Sequence, residues 1–133
     1  MNTKRYVMAS LAAGAWILVY GFVVNAMLLA EFWETNTPAE LMRAEADQIM
    51  WAIIVSCFSQ AFALGFIFTR GYESKGMAEG FRFGLLVAWF IASVYLLMYA
   101  IQPLPMIGLV VSSIADGIMY IGAGIVLALI YKE

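Results

Sequence analysis

Pro105–Tyr131, PMIGLVVSSIADGIMYIGAGIVLALIY, carries a single charged side chain, Asp116. A helix of about 18 to 20 apolar residues crosses ~30 Å of hydrocarbon, and this run is longer than that. Working outward, Tyr6–Ala30, Ile49–Thr69 and Phe83–Ile101 reach a similar length with no charged residue at all. The pattern predicts an all-α polytopic membrane protein, a bundle of four transmembrane helices. It places one membrane domain over 1–133, with helices at about 5–32, 38–70, 77–101 and 105–131.

Composition agrees. Hydrophobic residues make up 65% of the 133 and charged residues 12%, far from a soluble domain. The length fits a single domain, and no separate soluble catalytic module is expected. Histidine is absent, which removes the commonest metal ligand and the usual neutral-pH proton shuttle. The single cysteine, Cys57, lies within the second run, so no intrachain disulfide can form. No Ser-His-Asp arrangement, phosphate-binding glycine loop or basic nucleic-acid face is present, and no metal site, cofactor or nucleic-acid partner is expected.

Lys4 and Arg5 precede the first run much as in a signal peptide, but 25 uncharged residues exceed an h-region, so a retained helix is expected. The remaining basic residues set orientation. Lys4, Arg5, Arg70, Lys75, Arg82 and Lys132 fall on one side of four spans; only Arg43 falls on the other, among Glu31, Glu34, Glu40, Glu45 and Asp47. The positive-inside rule then puts both termini and the second-to-third connection in the cytoplasm of a cell with an inner membrane. Six against one argues against insertion in both orientations.

Local signals bound the helices. Thr37-Pro38-Ala39-Glu40 reads as a capping box with proline at the first helical position, and nothing breaks the pattern until Gly65. A second helix from Pro38 to Arg70 would be ~50 Å long, so it should project from the bilayer or tilt. Gly71 suits its C-terminus, and Pro103-Leu104-Pro105 separates the third helix from the fourth. Short connections predict that helices two and three, and three and four, are antiparallel neighbours. Trp33, Trp51 and Tyr131 fall near the expected interfaces, as aromatic belts do.

Small residues recur at helical spacing. They include Gly80, Gly84, Ala88 and Ala92 on helix three, Ala61 and Gly65 on helix two, and Ser10, Gly14 and Gly21 on helix one. Helix four has Gly108, Ser112, Ala115 and Gly122 on one side, with Gly117 and Gly124 on another. In lipid, close backbone approach rather than hydrophobicity drives association, so these stripes mark contact faces. The helix-three stripe is expected to meet Ala61 and Gly65. The surplus on helix four is available to a second copy or another membrane subunit.

Asp116 is the residue that bears on function. It lies near mid-membrane with no lysine, arginine or histidine in any span to compensate it, so the neutral acid is the expected form. Gln60 lies at nearly the same depth, Asn25 and Ser112 somewhat nearer the outer end, and Tyr95, Tyr99 and Tyr120 have hydroxyls within reach. Two roles stay open for Asp116. It is either a neutral acid binding helices together or the carrier of a proton or cation. A lone buried acid is a poor catalytic apparatus, so no enzyme is expected.

The glycine-rich first helix followed by Glu31-Phe32-Trp33, with Met77-Ala78-Glu79-Gly80-Phe81-Arg82-Phe83-Gly84-Leu85-Leu86 opening the third, resembles a group of small bacterial four-helix inner-membrane proteins of unknown function. The resemblance is one of layout and implies no activity. The expected function is a helper or accessory subunit packing in the bilayer against its own copies or other membrane chains. The alternative is a small proton- or cation-coupled transporter or channel using Asp116.

Overall fold

Asn2 Oδ1 accepts from the Arg5 N–H at 3.1 Å, and this cap starts α1, Thr3–Gly21. The computed structural model describes residues 1–132; Glu133, the last residue of the expected domain, lies outside them. Beyond Gly21 the helix widens into a π-helical turn, Phe22–Leu28, whose last bond runs from the Leu29 N–H five residues back to Val24 at 2.8 Å. Leu29 (φ −109°, ψ 9°) breaks it, and α2, Ala30–Asn36, follows as a separate short helix. The first helix therefore does not run unbroken to residue 32.

The second span also begins later than its apparent cap. Thr37 is extended and closes α2, Pro38 takes ψ 130°, and only single 3-10 turns form at Ala39–Leu41 and Glu45–Asp47. Helix α3 starts at Met50 and ends at Arg70, so no projecting helix exists. The physical reason lies in residues 40–47, which alternate Glu40, Arg43, Glu45 and Asp47 with Leu41 and Met42, both exposed with no neighbouring helix to pack on. A short helix without tertiary support is marginal in water, whatever its first turn prefers.

Gly71 ends α3, and a tight turn follows in which Gly76 has φ 64° and ψ −140°, a conformation open only to glycine. Helix α4, Met77–Ile101, then leads through Pro103 and Pro105 to α5, Met106–Ile130. The described residues thus form four helices long and apolar enough to cross a membrane: Thr3–Leu28, α3, α4 and α5. It is all-helical and a multi-pass membrane protein.

The order of packing differs from the order of connection. Helix α1 lies between α3 and α5, and α5 lies between α1 and α4. The expected pairing of α3 with α4 is absent along their length, and only Phe68 and Phe83, with ring centroids 5.3 Å apart, join them beside the connecting turn. Three sides of a square are filled and the α3–α4 side is open. A short turn fixes one end of a helix pair; it does not oblige the pair to pack.

Close approach decides the partners. A Cβ placed on Gly80 would meet the Gly124 carbonyl and stand 2.7 Å from Ala128 Cβ; one on Gly84 would meet Ile121 Cα and stand 2.6 Å from the Tyr120 carbonyl oxygen. Ala88 approaches Gly117 in the same seam. The helix-three stripe therefore meets α5, not Ala61 and Gly65. Those two are buried against α1, where Gly65 abuts Ser10 and Gly14 abuts Phe58. On the other side of α5, Trp16 covers Gly122. Both small faces of that helix are thus occupied within the chain. Gly21 has nothing within 4 Å of its Cβ position and is not a packing residue. Tyr131, expected in an interfacial belt, is fully buried, edge-on to Tyr72 and accepting from the Asn2 N–H at 3.2 Å.

Ser10 is fully buried, and among the described residues its hydroxyl is a buried polar group with no hydrogen-bond partner. Its value is its small size opposite Gly65. Ser10→Ala keeps that size and removes the unmet group, so stability should hold or rise by about 1 kcal/mol. Thermal denaturation in detergent measures it; a clear loss would mean that the hydroxyl is bonded.

Candidate functional site

Asp116 is the eleventh residue of α5, about 15 Å from its Met106 end, which places it near mid-membrane. Spacing along α5 sets where it points. Gly117, Gly124 and Ala128 face α4, while Ala115, Met119 and Gly122 face α1. Asp116, Tyr120 and Leu127 share the arc between those faces, turned toward α3. Two observations fix that arc: the Tyr120 hydroxyl donates to Gln60 Oε1 of α3 at 2.6 Å, and Leu127 reaches Gly65.

Asp116 and Tyr120 each have a side-chain partner on another helix. The Tyr95 hydroxyl of α4 donates to Asp116 Oδ2. Gln60, bonded to Tyr120, donates through Nε2 to Ser56 Oγ at 3.0 Å. Ser56, Gln60, Tyr120, Asp116 and Tyr95 therefore draw hydrogen-bonding groups from three helices to one level. Asp116 and Tyr120 stand one turn apart on α5.

Of the other two residues singled out in the sequence, Asn25 lies elsewhere and Ser112 stands one turn from Asp116 on α5. Asn25 sits in the π-helical turn, exposed, and accepts from Trp33 Nε1–H at 3.1 Å. It ties α2 to the end of the first span and is not among the neighbours of Asp116. Ser112 is one turn nearer the Met106 end and lines a cavity of about 170 Å³ with Trp33, Asn36, Tyr95, Tyr99 and Pro105. That cavity is roofed by α2 and its wall includes Tyr95, the residue bonded to Asp116.

Two aromatic donors of α1 escaped the sequence reading. Trp16 Nε1–H donates to the Met119 carbonyl and the Tyr20 hydroxyl to the Ala115 carbonyl, each at 2.8 Å. They lie four residues apart on one face of α1, and that spacing was the available signal. Each buries an aromatic body while its polar tip finds a backbone acceptor. Together they hold α5 on the side away from α4 and so fix the direction of Asp116.

The chemistry open to this site is narrow. Among the described residues no three of histidine, cysteine, aspartate and glutamate come together. Asp116 and Tyr95 can share one proton through their hydrogen bond; Gln60 and Ser56 can only donate and accept hydrogen bonds, and Tyr120 donates to an amide that cannot take its proton. No protein-family model, curated protein or solved structure matches the chain.

Proposed function

We propose that this multi-pass membrane protein is a non-enzymatic accessory subunit that packs against another membrane chain. One observation carries the reading: polar groups of three helices meet at mid-depth inside a bundle whose α3–α4 side the chain leaves open. Polar groups within a membrane face protein or water rather than lipid. A bundle complete in itself would have closed that side. Purification from native membranes should yield a different chain in fixed stoichiometry. Recovery of this chain alone, as monomer or homodimer, would overturn the reading.

We also propose that it resides in an inner membrane with both termini cytoplasmic, on the six-to-one distribution of basic residues. In a Cys57→Ala background, Thr35→Cys should react with an impermeant maleimide from outside and Ser74→Cys should not. The reverse pattern would invert the topology.

A second reading, a small proton- or cation-coupled carrier, is supported by the cavity that reaches Tyr95. Asp116→Asn tests it, since the amide keeps the shape of the acid and cannot release a proton. For a subunit, assembly is the quantity that changes; for a carrier, assembly survives and pH-dependent flux into liposomes disappears.

A further inference from the structure

We infer that the open α3–α4 side receives a transmembrane helix from a different chain, one carrying a lysine or arginine at mid-depth to meet Asp116. This deepens the subunit reading above and rests on it.

The opening is built from specific residues. Over Met50–Ser56 of α3, every residue but Ala52 is exposed, including the side that bears Ser56. Helix α3 is held to α1 from Phe58 onward, through Gly14, Ser10 and the Tyr6 hydroxyl, which donates to the Phe62 carbonyl at 3.0 Å. Above Phe58 nothing comparable holds it. Exposed Ser56 thus stands at the rim and bonds inward to half-buried Gln60, which accepts from Tyr120, one turn from half-buried Asp116.

An acyl chain is a poor occupant. Tyr95 engages Oδ2 of Asp116, and no second donor bonds to the carboxyl group among the described residues. Lipid tails have no donors to offer it, nor to Ser56 at the rim. A helix bearing a cation supplies both charge and N–H groups at that depth, and intramembrane acids characteristically pair in this way.

A second copy of the chain is excluded as the source by its own sequence. Lys4, Arg5, Arg70, Lys75, Arg82 and Lys132 all lie at or beyond the end of the bundle that carries the α3–α4 turn, and Arg43 lies beyond the opposite end. No cation stands within reach of mid-depth on any span. The partner is therefore a different protein.

The test uses the purified full chain in phosphatidylcholine vesicles with a labelled leucine–alanine transmembrane peptide carrying one central lysine, and the same peptide with leucine there. Energy transfer should show about tenfold tighter association of the lysine peptide, the size of an interhelical polar pair. Asp116→Asn should abolish the preference. Ser56→Leu, which fills the opening and leaves Asp116 in place, should weaken binding of the lysine peptide, and it decides the matter if Asp116→Asn fails to fold. Equal binding of the two peptides, or a preference that survives Ser56→Leu and any folded Asp116→Asn, would overturn the inference. Photo-crosslinking in native membranes separates its failure from that of the subunit reading. A foreign chain captured from position 56, with a lysine or arginine at that depth, supports both. One captured only from position 89, on the exposed face of α4, leaves the subunit reading and overturns the inference. No foreign chain from either position overturns both.

Discussion

Gly84→Leu should separate α4 from α5 and cost about 3 kcal/mol or more, at the upper end of overpacking changes. The size of the effect follows from what the new atoms meet. A Cβ at Gly84 falls against backbone, Ile121 Cα and the Tyr120 carbonyl, and backbone cannot rotate out of the way. The seam is also the only substantial contact α4 makes: its other faces expose Leu86, Trp89, Phe90 and Leu97. Once the seam opens, Glu79 at the turn, Phe83 and Tyr95 are left to hold the helix. Gly21→Ala is the internal control. It adds the same first carbon where nothing stands within 4 Å, at a backbone φ of −58° that alanine accepts. It should leave the melting temperature unchanged or slightly higher, since alanine loses less backbone freedom than glycine. Melting in detergent, followed by circular dichroism, compares the two. A Gly84→Leu protein as stable as the Gly21→Ala control would mean that the α4–α5 seam is not where it is drawn.

The same seam shows what the sequence could and could not reveal. Spans are legible because hydrophobic length is a local property: Pro105–Tyr131 needs no neighbour to be recognised. The stripes are legible as faces for the same reason, since Gly80, Gly84 and Ala88 share a side of any α-helix. Pairing is not local. Gly65 would accept Gly84 as readily as it accepts Ser10, and one small face carries no code for another. Loop length does not supply the missing rule, because the 71–76 turn joins only the ends of α3 and α4.

The candidate site follows the same division. Asp116 stands out in the sequence because a charge in an apolar run is conspicuous wherever the helix packs. Its hydrogen-bond partner Tyr95 was one of three tyrosines within reach, and choosing among them required the α4–α5 seam. Asn25 was placed by counting residues along a regular helix. The π-helical turn changes that count, and Asn25 turns to Trp33 instead. Ser56 gave no signal, because a serine in a transmembrane helix is ordinary until α3 is seen to leave its side uncovered.

Glu79→Ala should cost about 2–4 kcal/mol, since it strips two backbone amides of their acceptor at once. Glu79 is only 6% exposed, in the first turn of α4, and has no cation bonded to it. Its two oxygens instead take the Glu73 N–H at 2.7 Å and the Lys75 N–H at 2.9 Å. One carboxylate thus fastens the α3–α4 turn to the start of α4, where the helix dipole also favours negative charge. The salt bridges on that turn cannot replace it. Lys75 first, and Arg82 after it, hold the Glu73 carboxyl below the usual carboxylate range, so the pairing weakens only as the pH falls through that lowered value. Glu73 is exposed, and solvent leaves such a pair little to contribute. Glu79→Gln keeps one acceptor oxygen and replaces the other with a donor, which faces an amide that also donates. It should lose about half as much as alanine or somewhat more. Melting temperatures in detergent rank the three proteins, and hydrogen exchange at the Glu73 and Lys75 amides reports the clasp directly. Protection of those two amides unchanged in Glu79→Ala would show that something else holds the turn. With the clasp gone, the turn itself, the exposed Arg82–Glu73 pair and Phe68 against Phe83 would remain to keep the ends of α3 and α4 together. The open side should then widen at the one end where it is now closed.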